Sequence, residues 1–310
     1  MNRVLVTGAS GFIGRWTVSE LLTQGFKVHA VAHRSGVPAE VSGADITHCN
    51  LLDAGAVDAL IARVAPTHLL HLAWIATPGS YWQSPDNELW RDASRHLIER
   101  FVSGGGKRVV VSGTCAEYEW STAGVCVEKR TPLADVQNLG LSRYARSKLE
   151  LAKFLEQLSD RTGLSYAWGR VFFQFGPYEN PQRLVASVVC NLLRDRVAEC
   201  TSGRQVRSFL HVADVGHAFA RLLHVDVHGP VNIGSDERIS VADLVQRLAD
   251  KLQRRGLVRL GARQGPPEPA LLVPDTRRLA LEVGWQPRYS LDGALDDTIR
   301  WWRTQLDDAT

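Results

Sequence analysis

The sequence lacks the features that mark several large protein classes. Its five cysteines are an odd number, and no two of them have C-x-x-C spacing, which argues against a disulfide framework or a zinc site. No apolar run reaches about 18 residues, so we expect no transmembrane helix. The first residues lead directly into a predicted strand rather than a signal peptide, so we expect a cytoplasmic protein without a bound metal.

A strong charge of either sign is also missing. The formal net charge is +3 over 310 residues, and the basic residues are spread along the chain. A charge this small and dispersed does not favour nucleic acid or a membrane surface as a partner. Hydrophobic residues make up 45% of the sequence. A chain of this length and composition can form a sizeable core in one large or two modest domains.

Strand-like and helix-like segments alternate through the first part of the chain. The predicted strands cover residues 3–7, 27–32, 45–50, 68–73, 107–112 and 165–171, and the predicted helices cover residues 12–23, 54–64, 87–102 and 142–161. This alternation is typical of parallel βαβ units in a doubly wound sheet. We therefore predict an α/β protein with a Rossmann sheet.

The pattern changes in the second part of the chain, where loops lengthen and helices dominate. An amphipathic helix is predicted over residues 240–254, and residues 264–269 form a Pro/Gly-rich loop or linker. We interpret residues 1–170 as the Rossmann domain and residues 171–310 mostly as a smaller, mainly helical domain that covers the substrate. Some of its segments, at about residues 205–235, are expected to return to the Rossmann part.

Three glycines follow the first predicted strand with the spacing G-x-x-G-x-x-G. Gly8 permits a tight turn, Gly11 lets backbone N–H groups approach a pyrophosphate, and Gly14 lets the next helix pack closely against the strand. The alternative is a glycine-rich turn without a ligand, which the strand–turn–helix context disfavours. We predict a dinucleotide site here, and its loop includes Phe12 and Ile13.

The end of the second predicted strand lacks an acidic residue. Proteins that bind NAD usually place a carboxylate there for the ribose 2′-hydroxyl, but His33, Arg34 and Ser35 follow this strand. The Arg34 guanidinium offers a planar fork to a 2′-phosphate. We therefore predict NADP(H) as the preferred cofactor and NAD(H) as the second choice. The alternative is that Arg34 is only solvated.

Tyr144 and Lys148 are four residues apart on a predicted helix, so their side chains share a face. A nearby ammonium should lower the pKa of the phenol, ordinarily about 10, toward neutral pH. Lys148 can also hold the nicotinamide ribose. Thr114, at the end of the fifth strand, is our first choice for orienting the substrate oxygen, with Ser112 second. A Y-x-x-x-K pair alone usually means an ordinary helix, but the glycine loop and the strand-end hydroxyls favour catalysis.

These motifs resemble the extended short-chain dehydrogenase/reductases, specifically the group of nucleotide-sugar epimerases, dehydratases and reductases. The resemblance covers nearly the whole chain, and beyond the motifs above it includes residues 71–73, 170–177, 203–215, 232–235 and 281–287. It implies a nucleotide-sugar substrate and a homodimer formed by the helices predicted over 87–102 and 142–161.

The resemblance also implies ligand contacts. Asn50 and Leu51 occupy the place of a pair that contacts adenine, and Arg207 matches an arginine that grips the substrate diphosphate, although a structural ion pair is the alternative for Arg207. Further cofactor contacts are assigned to Leu72, Ala73 and Trp74, and further substrate contacts to Ser112, Cys115, Glu117 and Phe173. Aromatic residues near the expected cleft are Trp74, Tyr81, Trp82, Trp90 and Trp120, each of which is explained more simply by core packing.

The sequence departs from the family pattern beside the catalytic threonine. The 4,6-dehydratases carry an Asp-Glu pair there, whereas Cys115 and Ala116 follow Thr114 and cannot shuttle protons in that way. A dehydratase is therefore disfavoured, and Cys115 is interpreted mainly as a small packed residue. Phe173 replaces a frequent Asn, which removes one polar contact to the substrate.

Together the residues favour NADPH-dependent reduction of a nucleotide-linked keto sugar, specifically by a dTDP-4-keto-6-deoxyhexose 4-ketoreductase. Hydride would pass to the ketone carbon while Tyr144 protonates the oxygen and Thr114 hydrogen-bonds the developing alkoxide. The preference for reduction depends on the NADPH interpretation. The alternatives are a nucleotide-sugar 4-epimerase that retains NAD and a noncatalytic dinucleotide-binding protein, although such proteins typically lose the Tyr or the Lys.

Overall fold

The computed structural model describes residues 3–32, 38–75, 77, 79–122, 124–266 and 268–308. Its strands are β1 (Arg3–Thr7), β2 (Lys27–Ala32), β3 (Asp45–His48), β4 (His68–His71), β5 (Arg108–Thr114), β6 (Val125–Cys126), β7 (Ser165–Val171), β8 (Phe173–Phe175), β9 (Ala198–Glu199), β10 (Val206–Arg207), β11 (Phe209–His211), β12 (Gly229–Ile233), β13 (Ile239–Ser240), β14 (Val258–Arg259) and β15 (Leu271–Pro274). Its helices are α1 (Gly14–Thr23), α2 (Ala54–Val64), α3 (Asp86–Ser103), α4 (Arg143–Thr162), α5 (Leu184–Leu193), α6 (Val212–His224), α7 (Val241–Lys251), α8 (Arg277–Leu281) and α9 (Leu291–Asp307).

A parallel sheet with the strand order β12-β7-β5-β4-β1-β2-β3 lies at the centre of the molecule. The middle residues of its inner strands are apolar and buried, because both faces of the sheet are covered by helices. One face packs on α1 and α6, and the other packs on α2, α3 and α4. The predicted α/β fold with a Rossmann sheet is confirmed.

The strand ends decide where the functional residues lie. β5 runs two residues beyond its predicted end, so Thr114 is its last residue and pairs with Val171 of β7. α4 begins immediately after Ser142, whose hydroxyl caps the helix by accepting a hydrogen bond from the N–H of Ala145 at 3.2 Å. The cap fixes the first turn of α4, which carries Tyr144.

The second part of the chain builds a separate apolar cluster around α5, α7 and α9. A four-stranded sheet with the order β13-β10-β15-β6 lies in this part, and its β6 comes from the first half of the sequence. In the opposite direction, β12 returns to the central sheet beside β7. The two parts therefore exchange strands, which places the start of β10 close to the loops that follow β5.

The described residues contain no helix that is long and apolar enough to cross a membrane. In those same ranges, no group of three or more His, Cys, Asp or Glu side chains could hold a metal ion. All five cysteines are free.

Candidate active site

The glycine loop forms a tight turn between β1 and α1. Gly8 has a φ of +70°, and the N–H of Gly11 donates to the Gly8 carbonyl at 3.0 Å. A Cβ atom on Gly14 would lie 2.0 Å from the oxygen of Gly8, so the close packing of helix and loop requires glycine. Phe12 and Ile13 are half-buried within the turn. This cradle at the N-terminus of α1 fits a dinucleotide pyrophosphate.

The residues after β4 lie directly against the loop. A Cβ atom on Gly8 would be 2.7 Å from the nitrogen of Ala73, and the N–H of Leu72 donates to the carbonyl of Thr7 at 3.2 Å. Trp74 turns away from the loop toward α3, where its indole N–H donates to Asn87 Oδ1 at 2.9 Å. Leu72 and Ala73 thus border the space for a cofactor, whereas the Trp74 side chain has another partner.

The adenine and 2′-phosphate positions are described only in part. Leu51 is buried, and the exposed Asn50 accepts a hydrogen bond from the N–H of Leu52 at 3.2 Å, just beyond the carboxyl end of β3. His33, Arg34 and Ser35, on which the NADP(H) prediction depends, lie outside the described residues.

The predicted catalytic side chains meet at the carboxyl end of β5. The Tyr144 hydroxyl forms a hydrogen bond with the side chain of Thr114. The Lys148 ammonium, one helical turn further along α4, donates to the carbonyl of Ser112 at 2.8 Å. A substrate oxygen placed between Tyr144 and Thr114 would contact both hydroxyl groups, which is the arrangement that proton transfer requires.

The predicted lowering of the Tyr144 pKa is wrong for this structure. Burial raises the pKa of Tyr144, the neighbouring Tyr81 raises it further, and the hydrogen bond to Thr114 offsets only part of the rise. Burial also lowers the pKa of Lys148 to about 7, because its ammonium is almost completely removed from water. The phenol is therefore protonated at neutral pH, and this is the form that donates a proton.

Two aromatic rings enclose Tyr144. The rings of Tyr81 and Trp82 stand edge-on to the Tyr144 ring, with centroids 5.0 and 5.6 Å away. The Tyr81 hydroxyl is hydrogen-bonded to the side chain of Arg183, which precedes α5. Arg183 is a cation near the site that sequence reasoning missed, since no local pattern distinguishes it. Tyr81 and Trp82, for which the sequence favours core packing, therefore pack directly against Tyr144.

The sequence analysis expects Glu117 to contact the substrate, but in the structure this residue does not line a substrate pocket. Its carboxylate is fully buried and pairs with Arg170 Nε at 2.7 Å. It also accepts from Trp168 Nε1 at 2.9 Å and from the N–H of Thr114 at 2.8 Å. The carboxylate thus has a full set of protein partners. Its role is to hold the turn after β5, and through that turn the position of Thr114.

Arg207 is buried and already holds an anion. Its side chain is 2% exposed and pairs with Glu268 Oε2 at 2.9 Å, while Nη1 donates to the carbonyls of Val206 and Pro269, each at 2.9 Å. The Nε–H of Arg207 has no partner among the described residues. The ion pair that the sequence left as the alternative is therefore present, and one donor remains for a further acceptor.

A cavity of about 510 Å³ lies beside the first turn of α4. Its walls include Trp82 and Trp120, the first turn of α4 at Ser142 and Ala145, and the Glu268 side chain. The cavity therefore extends from the Tyr144 helix to the carboxylate that covers Arg207. An elongated ligand could occupy it with one end near each of these groups.

The other predicted substrate residues have mixed surroundings. Cys115 packs in a small apolar cluster, and burial raises the pKa of its thiol to about 12, so the thiol is neither a free contact nor an acid. The half-buried Phe173 ring is tilted by 50° against the Phe209 ring, with centroids 5.8 Å apart, and its centre lies 5.3 Å from the Arg207 guanidinium. Ser112 contributes its carbonyl, to Lys148, rather than a free hydroxyl.

Residues 4–234 match the model of the NAD dependent epimerase/dehydratase family. The chain belongs to this family. The match covers the glycine loop, the predicted catalytic side chains and Arg207, and it agrees with the resemblance found in the sequence.

Curated relatives divide among several activities. UDP-glucuronic acid decarboxylase 1 of Xenopus tropicalis is 25% identical over 99% of this chain and 73% of its own length. UDP-glucose 4-epimerase of Bacillus subtilis is 26% identical over 96% of both chains. The dTDP-4-dehydro-6-deoxy-D-allose reductase of Streptomyces bikiniensis is 24% identical over 97% of this chain and 96% of its own length.

Solved structures of family members have the same fold. UDP-glucose 4-epimerase from Thermotoga maritima, solved with UDP-glucose, superimposes with a TM-score of 0.86 at 23% identity, covering 98% of this chain and 99% of its own. MoeE5 in complex with UDP-glucuronic acid and NAD has a TM-score of 0.83 at 28% identity, covering 98% of this chain and 100% of its own.

Proposed function

We propose that this family member is an NADPH-dependent reductase of a nucleotide-linked keto sugar, specifically a dTDP-4-keto-6-deoxyhexose 4-ketoreductase. The observation that carries the proposal is the Tyr144 hydroxyl, which is hydrogen-bonded to Thr114, while no acidic pair follows that threonine in the sequence. Cys115 and Ala116 stand where a dehydratase needs proton-shuttling carboxylates. The site can donate one proton to a carbonyl oxygen, which is what a ketone reduction requires.

The chain's own residues divide the work of this reaction. A bound nicotinamide supplies the hydride. Tyr144 donates its proton to the carbonyl oxygen, and Thr114 hydrogen-bonds the same oxygen as negative charge develops on it. Lys148 stabilises the phenolate that remains and holds the ribose beside it. Tyr81 and Trp82 cover the Tyr144 ring and limit the access of water.

Arg207 and the cavity favour a substrate with a diphosphate. The unpartnered Nε–H of Arg207 and the paired Nη2 can both serve a phosphate oxygen once the Glu268 carboxylate moves away. The Streptomyces bikiniensis relative is named as a reductase of a dTDP-linked 4-dehydro-6-deoxy sugar, which supports this substrate class. The cavity described above runs from the first turn of α4 to Glu268, the residue that pairs with Arg207.

The activity test is a panel of nucleotide-linked 4-keto sugars incubated with NADPH. We expect NADPH absorbance to fall with a dTDP-4-keto-6-deoxyhexose, and NMR of the product to show one new stereocentre at the former ketone carbon. If no 4-keto sugar oxidises NADPH and a nucleotide hexose is epimerised instead, the proposed reduction is wrong.

The NADPH preference is proposed on the basis of Arg34. Replacing Arg34 by Ala should raise KM for NADPH by about tenfold or more, because a charge-assisted hydrogen bond to the 2′-phosphate is lost. KM for NADH should stay the same, since NADH has no 2′-phosphate. Wild-type enzyme with a lower KM for NADH than for NADPH would contradict the assignment.

The second candidate function is a nucleotide-sugar 4-epimerase that retains NAD. The Bacillus subtilis relative, which aligns over 96% of both chains, favours it. Chromatography of the cofactor released from denatured protein separates the two candidates. Tightly held NAD+ would support the epimerase, and an exchangeable NADP(H) would support the reductase.

Glu268 should compete with the substrate for Arg207. We expect Glu268→Gln to lower KM for the nucleotide sugar by up to about fivefold with kcat unchanged, since a partly exposed ion pair contributes at most ~1 kcal/mol. Glu282→Gln is the matched control, because Glu282 pairs with Arg278 at the same 2.9 Å on α8. An unchanged KM together with a lower Tm would show that the Arg207 pair is only structural.

The proposal includes a homodimer formed through α3 and α4, which pack against each other on one face of the sheet. Light scattering should then give twice the chain mass of 34.3 kDa, and a mass equal to one chain would exclude the dimer.

A further inference from the structure

Among the residues that the structure describes, the buried Lys148 ammonium has no carboxylate partner. Its side chain is 3% exposed, and within the described residues its contacts are the carbonyl of Ser112 and the ring of Trp74. The ammonium nitrogen lies 3.7 Å from the centre of the Trp74 ring, well within the range of a cation–π interaction. An aromatic face, rather than an acid, therefore replaces much of the water that this cation loses.

The charges around Lys148 come from three elements. Glu117, in the turn after β5, favours the ammonium, but its carboxylate is paired with Arg170. His71, at the end of β4, is kept neutral, because burial lowers its pKa to about 3 and its ring nitrogens contact the hydroxyls of Thr7 and Ser94, each at 2.7 Å. Tyr144, on α4 itself, is protonated. None of these groups cancels the charge of Lys148.

The Trp74 ring is itself held in place. Its indole N–H donates to Oδ1 of Asn87, a fully buried residue on α3. The amide of Asn87 in turn donates to the carbonyls of Tyr81 at 2.6 Å and Ser84 at 2.9 Å. One side chain thus fixes both the ring under Lys148 and the segment whose Tyr81 ring covers Tyr144.

The choice of an aromatic partner has an electrostatic consequence. A carboxylate would attract the ammonium but would cancel its net charge at the phenol. An aromatic face attracts a cation through its quadrupole and leaves the net charge intact. The full positive charge then remains available to stabilise phenolate when Tyr144 has given up its proton.

We propose that Trp74 is a positioning residue for the reaction, whose ring holds the Lys148 ammonium in its charged form and in place beside Tyr144. The inference rests on the proposed role of Lys148, and it concerns a residue that the sequence analysis assigned to the cofactor. The protonation of the Lys148 amine can be measured without any substrate.

The direct test is the titration of Lys148 by NMR. The chain has only six lysines, so protein labelled with ¹³C at lysine Cε gives few signals, and the one missing from Lys148→Met is assigned to Lys148. We expect Trp74→Leu to lower the pKa of Lys148 by about one unit, since a desolvated cation–π contact is lost. Trp74→Phe keeps a weaker aromatic face and should lower it by less.

Trp90→Leu is the matched control. Trp90 is also half-buried and packs on the same apolar cluster, but the ring over Lys148 is that of Trp74. The Lys148 titration should be unchanged in this variant, and the other five lysine signals should report an intact fold in all variants. A Lys148 pKa that stays constant or rises in Trp74→Leu would overturn the proposal.

The activity readout separates positioning from simple damage. The reaction needs a charged Lys148, so kcat should fall as pH rises through the Lys148 pKa, and in Trp74→Leu this fall should begin about one pH unit lower. The loss relative to wild type should then be about tenfold at pH 8 and small at pH 5. An equal loss at every pH would mean that Trp74 only supports packing. If no substrate of the panel reacts, the proposed function fails while the NMR titration still decides the role of Trp74.

Discussion

Tyr144→Phe is expected to lower kcat by about 10²–10⁴-fold, with KM for the nucleotide sugar and Kd for NADPH close to wild type. The substitution removes the hydroxyl that meets Thr114 and keeps the ring that packs against Tyr81 and Trp82. The proton donor is thereby lost without a cavity. Steady-state kinetics with a dTDP-4-keto-6-deoxyhexose measures kcat and KM. Fluorescence titration measures Kd for NADPH.

Tyr166→Phe is the control for this prediction. Tyr166 is a buried tyrosine near the amino end of β7, at the opposite edge of the sheet from the carboxyl end of β5. Loss of the Tyr166 hydroxyl should change kcat by less than about twofold, because a substitution far from the site has little effect on it. If Tyr144→Phe retained most of the activity, the acid would have to be another group.

Glu117→Gln is expected to destabilise the fold by about 3–5 kcal/mol, because it leaves Arg170 as a buried cation without a counter-charge. Urea unfolding followed by circular dichroism measures the loss. The variant should also lower kcat, since the carboxylate that accepts from the N–H of Thr114 at 2.8 Å is replaced. The same carboxylate thus supports both the fold and the catalytic strand end.

The contribution of the Glu117–Arg170 ion pair can be tested by removing both charges. In the variant Glu117→Gln with Arg170→Met, no unpaired charge remains, so the loss of stability should be smaller than in Glu117→Gln alone. If the two losses simply added, or if Glu117→Gln cost no more than the surface change Glu282→Gln, the buried ion pair would not have the role assigned to it.

The elements that place the proposed catalytic groups could be predicted from the sequence, because each follows a local rule. A spacing of four residues puts Tyr144 and Lys148 on one helix face, and parallel strands end at one edge, which brings Thr114 to the same place. The glycine spacing likewise predicts the turn at Gly8. These inferences need only the periodicity of one segment at a time.

The partners of the buried charges could not be predicted in this way. Glu117 meets Arg170 across 53 positions, and Arg207 meets Glu268 across 61, so neither pair leaves a local pattern. The pKa of Tyr144 was predicted in the wrong direction for a related reason. The proximity of the Lys148 charge can be inferred from the helix spacing. The pKa of Tyr144 is set mainly by the depth of burial, however, and that depends on how α4, β5 and the Tyr81 segment pack together.

The most direct measurement of the central claim uses NADPH that carries deuterium at the transferred position. If Tyr144 and Thr114 serve a ketone reduction, the deuterium must appear at the former ketone carbon of the nucleotide sugar, one per molecule of product, as NMR and mass spectrometry would show. A product without deuterium, formed while the added NADPH stays reduced, would contradict the account.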